Sequence, residues 1–106
     1  MKILNSKELK EKIDNGEKFI VDMYADWCGP CRVLGTILEK VDKKLTNENH
    51  PTKIYKFNIE SDKETSAGLG VRSIPMVISF KDGERVDTKI GVMHENQIID
   101  MANAIK

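Results

Sequence analysis

The sequence is poor in the features that mark several common classes of protein. Of its 106 residues only two are cysteine and three are proline, and aromatic residues make up 6%. Two cysteines cannot build the multi-bridge scaffold of a small secreted domain. No Pro/Gly/Ser-rich stretch interrupts the chain and no 20–50-residue period repeats, so linker-separated modules and solenoid arrays are excluded and the reading is one domain over residues 1–106. Neither sign of charge is in excess: 17 Lys+Arg face 17 Asp+Glu. The basic surplus that holds nucleic-acid phosphates is therefore missing, and no nucleic-acid partner is expected. The longest run without a charge, Ser73 to Phe80, is eight residues, far short of the about 18 that a membrane-spanning helix needs. Met1 to Glu8 holds lysine but no apolar core of a secretion signal. The expectation is a monomer that stays in the cytoplasm, with no membrane contact.

What is present suffices for a folded domain. Hydrophobic residues are 40% of the chain and charged ones 32%, above the roughly 25% charge of an average globular chain, which predicts a core under a well-solvated surface. Ser6 can cap a first helix through about Asp14, with Leu9 and Ile13 on one side and Gly16 just past its end. Phe19 to Tyr24 is short, β-branched or aromatic and almost wholly apolar, the pattern of a strand covered on both faces. Leu34, Ile37, Leu38, Val41 and Leu45 form a stripe of helical period, and Pro30 fits the first turn of that helix because its missing N–H would be unpaired there anyway. A polar loop leads to a strand from Ile54 to Ile59, in which Tyr55 and Phe57 face one way and Ile54 and Lys56 the other. Strand, helix, strand makes a right-handed βαβ unit.

Further on, Ser61-Asp62-Lys63-Glu64 reads as a capping box, with Ser61 the cap of a short helix to about Leu69. Met76 to Phe80 predicts another buried strand, and Asp82-Gly83 a tight hairpin returning along Glu84 to Ile90 at the sheet edge. Ile98, Ile99, Met101, Ala102 and Ile105 mark the inner side of a last helix. The fold class is α/β, with a central mixed β-sheet flanked by helices on both faces.

The chemistry lies in Trp27-Cys28-Gly29-Pro30-Cys31, where a buried strand hands over to a helix. A two-residue spacer on a first helical turn puts both sulfurs on one side, within disulfide reach. The unpaired N–H groups and positive dipole end of the helix favour a thiolate at Cys28. Cys28, at the mouth of the turn, reads as the exposed thiol, and Cys31, one turn deeper, as the shielded one. Zinc is the first alternative use, but His50 and His94 lie 19 and 63 residues beyond Cys31 and make no finger-like spacing. A structural disulfide is the second, and so short a loop would gain little from closure.

The segment Val21 to Cys31, with WCGPC at its end, resembles the active-site segment of the thioredoxin family. Lys56 to Glu60, Val71 to Pro75, Phe80 to Gly83 and Gly91 match further family segments, so the resemblance spans essentially the whole chain. It implies the thioredoxin fold with a cis Pro75 beside the dithiol. It also implies a peptide groove lined by Trp27, Ile74, Pro75, Gly91 and Val92. By the same resemblance the protein reduces protein disulfides by dithiol–disulfide exchange, with Cys28 as nucleophile and Cys31 as resolving thiol. No metal or organic cofactor beyond the Cys28–Cys31 pair is implied. The partners would be disulfide-containing target proteins and a separate thioredoxin reductase as electron source. Oxidising relatives tend to carry a histidine in the spacer, which Gly29-Pro30 lacks. The alternative from another class is a binding subunit of a larger complex, with the dithiol incidental.

Asp22 is the one acid in its apolar strand. It is either a strand-edge carboxylate reaching water or a desolvated acid of raised pKa that exchanges protons with Cys31; the resemblance favours the second. Lys56 either approaches Asp22 from the neighbouring strand or snorkels to solvent. Three positions depart from the family pattern and bear on partner recognition: Tyr24 stands for a tryptophan, Thr36 for a helix-kinking proline, and Met76 for a threonine after Pro75.

Overall fold

The computed structural model describes residues 1–106. In chain order the elements are β1 (Lys2–Ile3), α1 (Ser6–Asp14), β2 (Phe19–Tyr24), α2 (Gly29–Asn47), β3 (Lys53–Asn58), α3 (Lys63–Gly68), β4 (Met76–Lys81), β5 (Glu84–Ile90) and α4 (Glu95–Ala104). The strand order is β1-β3-β2-β4-β5. β1, β3 and β2 run parallel, while β4 is antiparallel to β2 and β5 to β4. This is the thioredoxin fold, a mixed sheet flanked by helices.

β2 occupies the middle, and all six of its residues are buried. Side chains on a strand alternate between faces, so β2 supplies two cores. Ile20 joins Leu34, Leu38 and Val41 of α2 and Ile98, Met101 and Ala102 of α4 on one face. Phe19, Val21 and Met23 join Phe57, Ile78 and Phe80 on the other, with Leu9 of α1. Phe19 stacks on Phe80 at 5.1 Å between ring centroids. Asp82 and Gly83 both take positive φ, 54° and 82°, the geometry a two-residue turn needs to match the twist of its strands.

The helix starts differ from the expectation by one residue. Asn5, not Ser6, caps α1: its Oδ1 accepts the Glu8 N–H at 2.8 Å, and Glu8 Oε1 accepts the Asn5 N–H at 3.0 Å. An N-cap needs an extended backbone, which Asn5 has (φ −88°, ψ 175°), and its carboxylate three residues on is Glu8. Ser6 instead donates its hydroxyl to Asp62 Oδ2 at 2.7 Å. Likewise Asp62, not Ser61, caps α3 through Oδ1 and the Thr65 N–H at 3.2 Å, while Ser61 Oγ donates to the Asn58 carbonyl. Asp62 thus joins α1 to α3. The sequence reading also has no counterpart for β1, whose two residues show no alternation and pair only with Tyr55 and Lys56.

Because the Asn5 side chain satisfies an otherwise unpaired helical N–H, Asn5→Ala is expected to lower stability by about 1 kcal/mol, and Asn5→Ser by no more than a few tenths. Denaturant melts of the three proteins measure the difference.

Candidate active site

Where β2 ends, Ala25, Asp26 and Trp27 carry the chain to the start of α2. Cys28 is the N-cap of that 19-residue helix, with extended backbone (φ −91°, ψ 110°), and Pro30 occupies its first turn, where proline costs no hydrogen bond. Cys28 and Cys31 form a disulfide with Cα atoms 5.2 Å apart. The Cys31 N–H donates to Cys28 Sγ at 3.2 Å. Arg32 Nη2 donates to the Asp26 carbonyl at 2.8 Å and ties the first turn of α2 to the loop before it.

The expected contrast in exposure between the two cysteines is absent: Cys28 is 5% exposed and Cys31 3%. Both cysteines lie in one cluster with Tyr24 and Ala25, against which Ile59 and Ile74 pack. What distinguishes them is the backbone. Cys28 sits at the cap, where an N–H points at its sulfur, whereas Cys31 lies inside the helix. An N–H donor and the positive helix end both favour negative charge on Cys28 Sγ once the bond is open.

The other expected residues are placed as follows. The Ile74–Pro75 bond is cis. Pro75 is buried, and its carbonyl accepts the Gly91 N–H at 2.9 Å, so the two segments expected to line a groove are hydrogen-bonded to each other. Ile74 meets the dithiol cluster. Trp27 and Val92 stand out as exposed apolar side chains, Trp27 at 65%. Trp27 also lines a cavity of about 290 Å³ with Ile59, Glu60, Lys63, Ser66, Ala67 and Val71. Gly29 is exposed, with no atom near the place a side chain would take. Ile90, which sequence reasoning passed over, is exposed and pairs across the sheet with Met76, next to Pro75. Its position just before Gly91 was the available signal.

Asp22 does not reach water. It is fully buried, and neither carboxylate oxygen has a hydrogen-bond donor. Burial disfavours the ionised form and pushes its pKa up to about 7, with the nearby Lys56 charge acting weakly the other way. Lys56 stands directly opposite Asp22 in the β2–β3 register. Its ammonium nevertheless lies over the Tyr24 ring, 4.2 Å from the centroid, not on the carboxylate. Lys56 and Cys31 share a small cavity of about 130 Å³ with Tyr24, Ala25, Asp26 and Arg32. No three Cys, His, Asp or Glu side chains come together as a metal-ligand group.

A dithiol that caps a helix at a strand-to-helix turn, with the isoleucine of a cis Ile74–Pro75 bond packed against it, defines a thiol–disulfide exchange protein that carries its own redox group. The relatives agree with that class. A family model described as Thioredoxin matches residues 1–104. The chain is 37% identical over 101 residues to thioredoxin of Rickettsia conorii, covering 95% of this chain and 93% of that one. It is 38% identical over 101 residues to thioredoxin of Mycoplasmoides gallisepticum, covering 93% and 95%. Among solved structures, Fasciola hepatica thioredoxin superposes with a TM-score of 0.85 at 27% identity and covers 100% of both chains. The chain belongs to the thioredoxin family. It is a protein-disulfide oxidoreductase with the redox-active cysteine pair of that family in place.

The raised pKa of Asp22 makes stability depend on pH. A group that holds its proton more tightly when folded gives its full stabilisation below the unfolded pKa and loses it as pH rises through the folded one. Between the ordinary carboxylate value of 3.8 and about 7 the protein should therefore lose stability that the Asp22→Asn variant keeps. Asp22→Asn is expected to match the parent near pH 4 and to exceed it above pH 8 by on the order of 4 kcal/mol. Denaturant melts of the two oxidised proteins across that range test it, and curves that stay parallel would contradict a buried acid at this position.

Proposed function

We propose that the protein is a cytoplasmic, monomeric, single-domain reductant of protein disulfides, with residues 1–106 as its domain. In this reading Cys28 attacks, Cys31 resolves and Asp22 carries protons. The observation that carries the assignment of roles is the Cys31 N–H pointing at Cys28 Sγ from the first turn of α2.

In the reduced protein the Cys28 thiolate attacks one sulfur of a target disulfide. The target S–S bond breaks, a Cys28–target mixed disulfide forms, and the first target sulfur leaves as a thiolate. Cys31 then loses its proton and attacks Cys28 Sγ. The mixed disulfide breaks, the second target sulfur leaves, and the Cys28–Cys31 bond closes. Two electrons pass to the target, whose two sulfurs end as thiols after taking up two protons. The buried carboxylate of Asp22, with a pKa near neutrality, is suited to accept the Cys31 proton and return it. A thioredoxin reductase restores the dithiol.

Trp27, Ile74, Pro75, Gly91 and Val92 are the proposed target groove. The exposed apolar side chains of Trp27, Val92 and Ile90 would cover an extended peptide around its disulfide. The Gly-Pro spacer supports a reducing role over an oxidising one. Nothing in the fold or among the relatives supports the reading as a binding subunit with an incidental dithiol.

The roles of the cysteines are separable. Cys31→Ser should still attack a disulfide substrate and then stall, accumulating a mixed disulfide through Cys28 that mass spectrometry detects. Cys28→Ser should form no adduct, and both variants should lose disulfide reductase turnover. An adduct through Cys31 in the Cys28→Ser protein would reverse the assignment.

A further inference from the structure

The acid and the lysine that face each other across β2 and β3 do not join. Asp22 and Lys56 are register partners, and paired residues project from the same face of a sheet. Tyr24, two residues along β2, shares that face and lies diagonally from Lys56. The two Asp22 oxygens have no donor, whereas the Lys56 ammonium sits 4.2 Å from the Tyr24 ring centroid. A cation held over an aromatic face is attracted by the negative quadrupole of the ring, more strongly where water is excluded. Tyr24 is buried. Gly35 of α2 faces the ammonium, since a Cβ added there would be in ordinary contact with Lys56 Nζ at 3.8 Å.

We propose that Tyr24 is a positioning residue: its ring seats the Lys56 ammonium and keeps it off the Asp22 carboxylate, leaving that acid unpaired. The functional consequence rests on the reading of Asp22 as the proton carrier for Cys31. A direct ion pair with Lys56 would stabilise the carboxylate and empty it of its proton well below neutrality. The ring is what prevents that pairing.

The other ionisable groups around this cluster are few. Asp26 follows β2, and Cys31 and Arg32 come from α2. Arg32 is held by the Asp26 carbonyl. The neighbouring strands add none, because β4 sets Val77 beside Asp22 and β1 sets Ile3 beside Lys56. On the same face α4 presents Ile98, Met101 and Ala102. Lys56 is therefore the cation through which a change at position 24 would act.

The test replaces Tyr24 with phenylalanine and then with its 4-fluoro, 3,5-difluoro and 3,4,5-trifluoro forms. These nearly preserve shape while draining electron density from the ring face. In the oxidised protein the Asp22 carboxyl is titrated by carbon-13 NMR. Its pKa should fall stepwise along the series, by about half a unit or more from phenylalanine to the trifluoro ring, as Lys56 is released. A merely more apolar ring would push it the other way. In a Lys56→Met background the series should be flat. A flat series with Lys56 present, or the same slope in the Lys56→Met background, overturns the proposal. Turnover of the reduced protein against pH is followed in parallel. If the Asp22 pKa moves and the pH–rate profile does not, the positioning stands and the assignment of Asp22 as proton carrier fails.

Discussion

The reactive end of the molecule depends on β2 being hydrogen-bonded along both edges and covered on both faces. β3 pairs with it throughout its length on one side and β4 on the other. Two cores formed around opposite faces of one strand hold it in place, and a strand held in that way gives its C-terminal end a fixed position. The first turn of α2 starts there, tied to the loop by the Arg32–Asp26 hydrogen bond. The dithiol is thus built on rigid elements rather than on a free loop, which is what a two-sulfur exchange needs to bring each sulfur into line in turn.

The same dry interior works in opposite directions on the groups that must ionise. At Asp22 the loss of water favours the neutral acid, and nothing nearby donates a hydrogen bond to offset it. A few residues on, the first-turn N–H groups of α2 favour the anion at Cys28. The same strand-to-helix segment thus carries a carboxyl that holds its proton and a sulfur disposed to lose its own. Lys56 is the one cation placed to disturb that division, and its seat on Tyr24 keeps it apart from the acid. Tyr24 is also one of the positions where the chain departs from the family pattern, and the departure retains the aromatic face.

The proposed target groove is assembled from parts distant in sequence. Pro75 precedes β4 and Gly91 follows β5, yet the Gly91 N–H reaches the Pro75 carbonyl because the two strands form one hairpin. Ile74 closes on the disulfide from that side, and Ile59, arriving from the end of β3, does so too. Met76 is buried and pairs with Ile90 across the sheet.

Much of this was legible in the chain. The buried strand at Phe19 to Tyr24, the helix carrying Leu34 to Leu45, the Asp82-Gly83 turn and the dithiol at the strand-to-helix junction all follow from local chemistry, because side-chain periodicity and backbone preference act over a few residues. Which of Asn5 and Ser6, or Ser61 and Asp62, would cap a helix was not legible, since each neighbour has a suitable oxygen and Ser6 is claimed by Asp62 across the fold. The two-residue β1 carries no pattern to read, and its place is fixed only by pairing with β3. The equal burial of Cys28 and Cys31 follows from packing of the closed disulfide against Tyr24, Ala25, Ile59 and Ile74. The sequence by itself determined that a lone acid would lie within a buried strand and a redox dithiol just past its end. Only the tertiary structure decided that this acid would be dry and that the facing lysine would bind a ring instead, because solvent exclusion and contact across strands depend on what the fold places alongside.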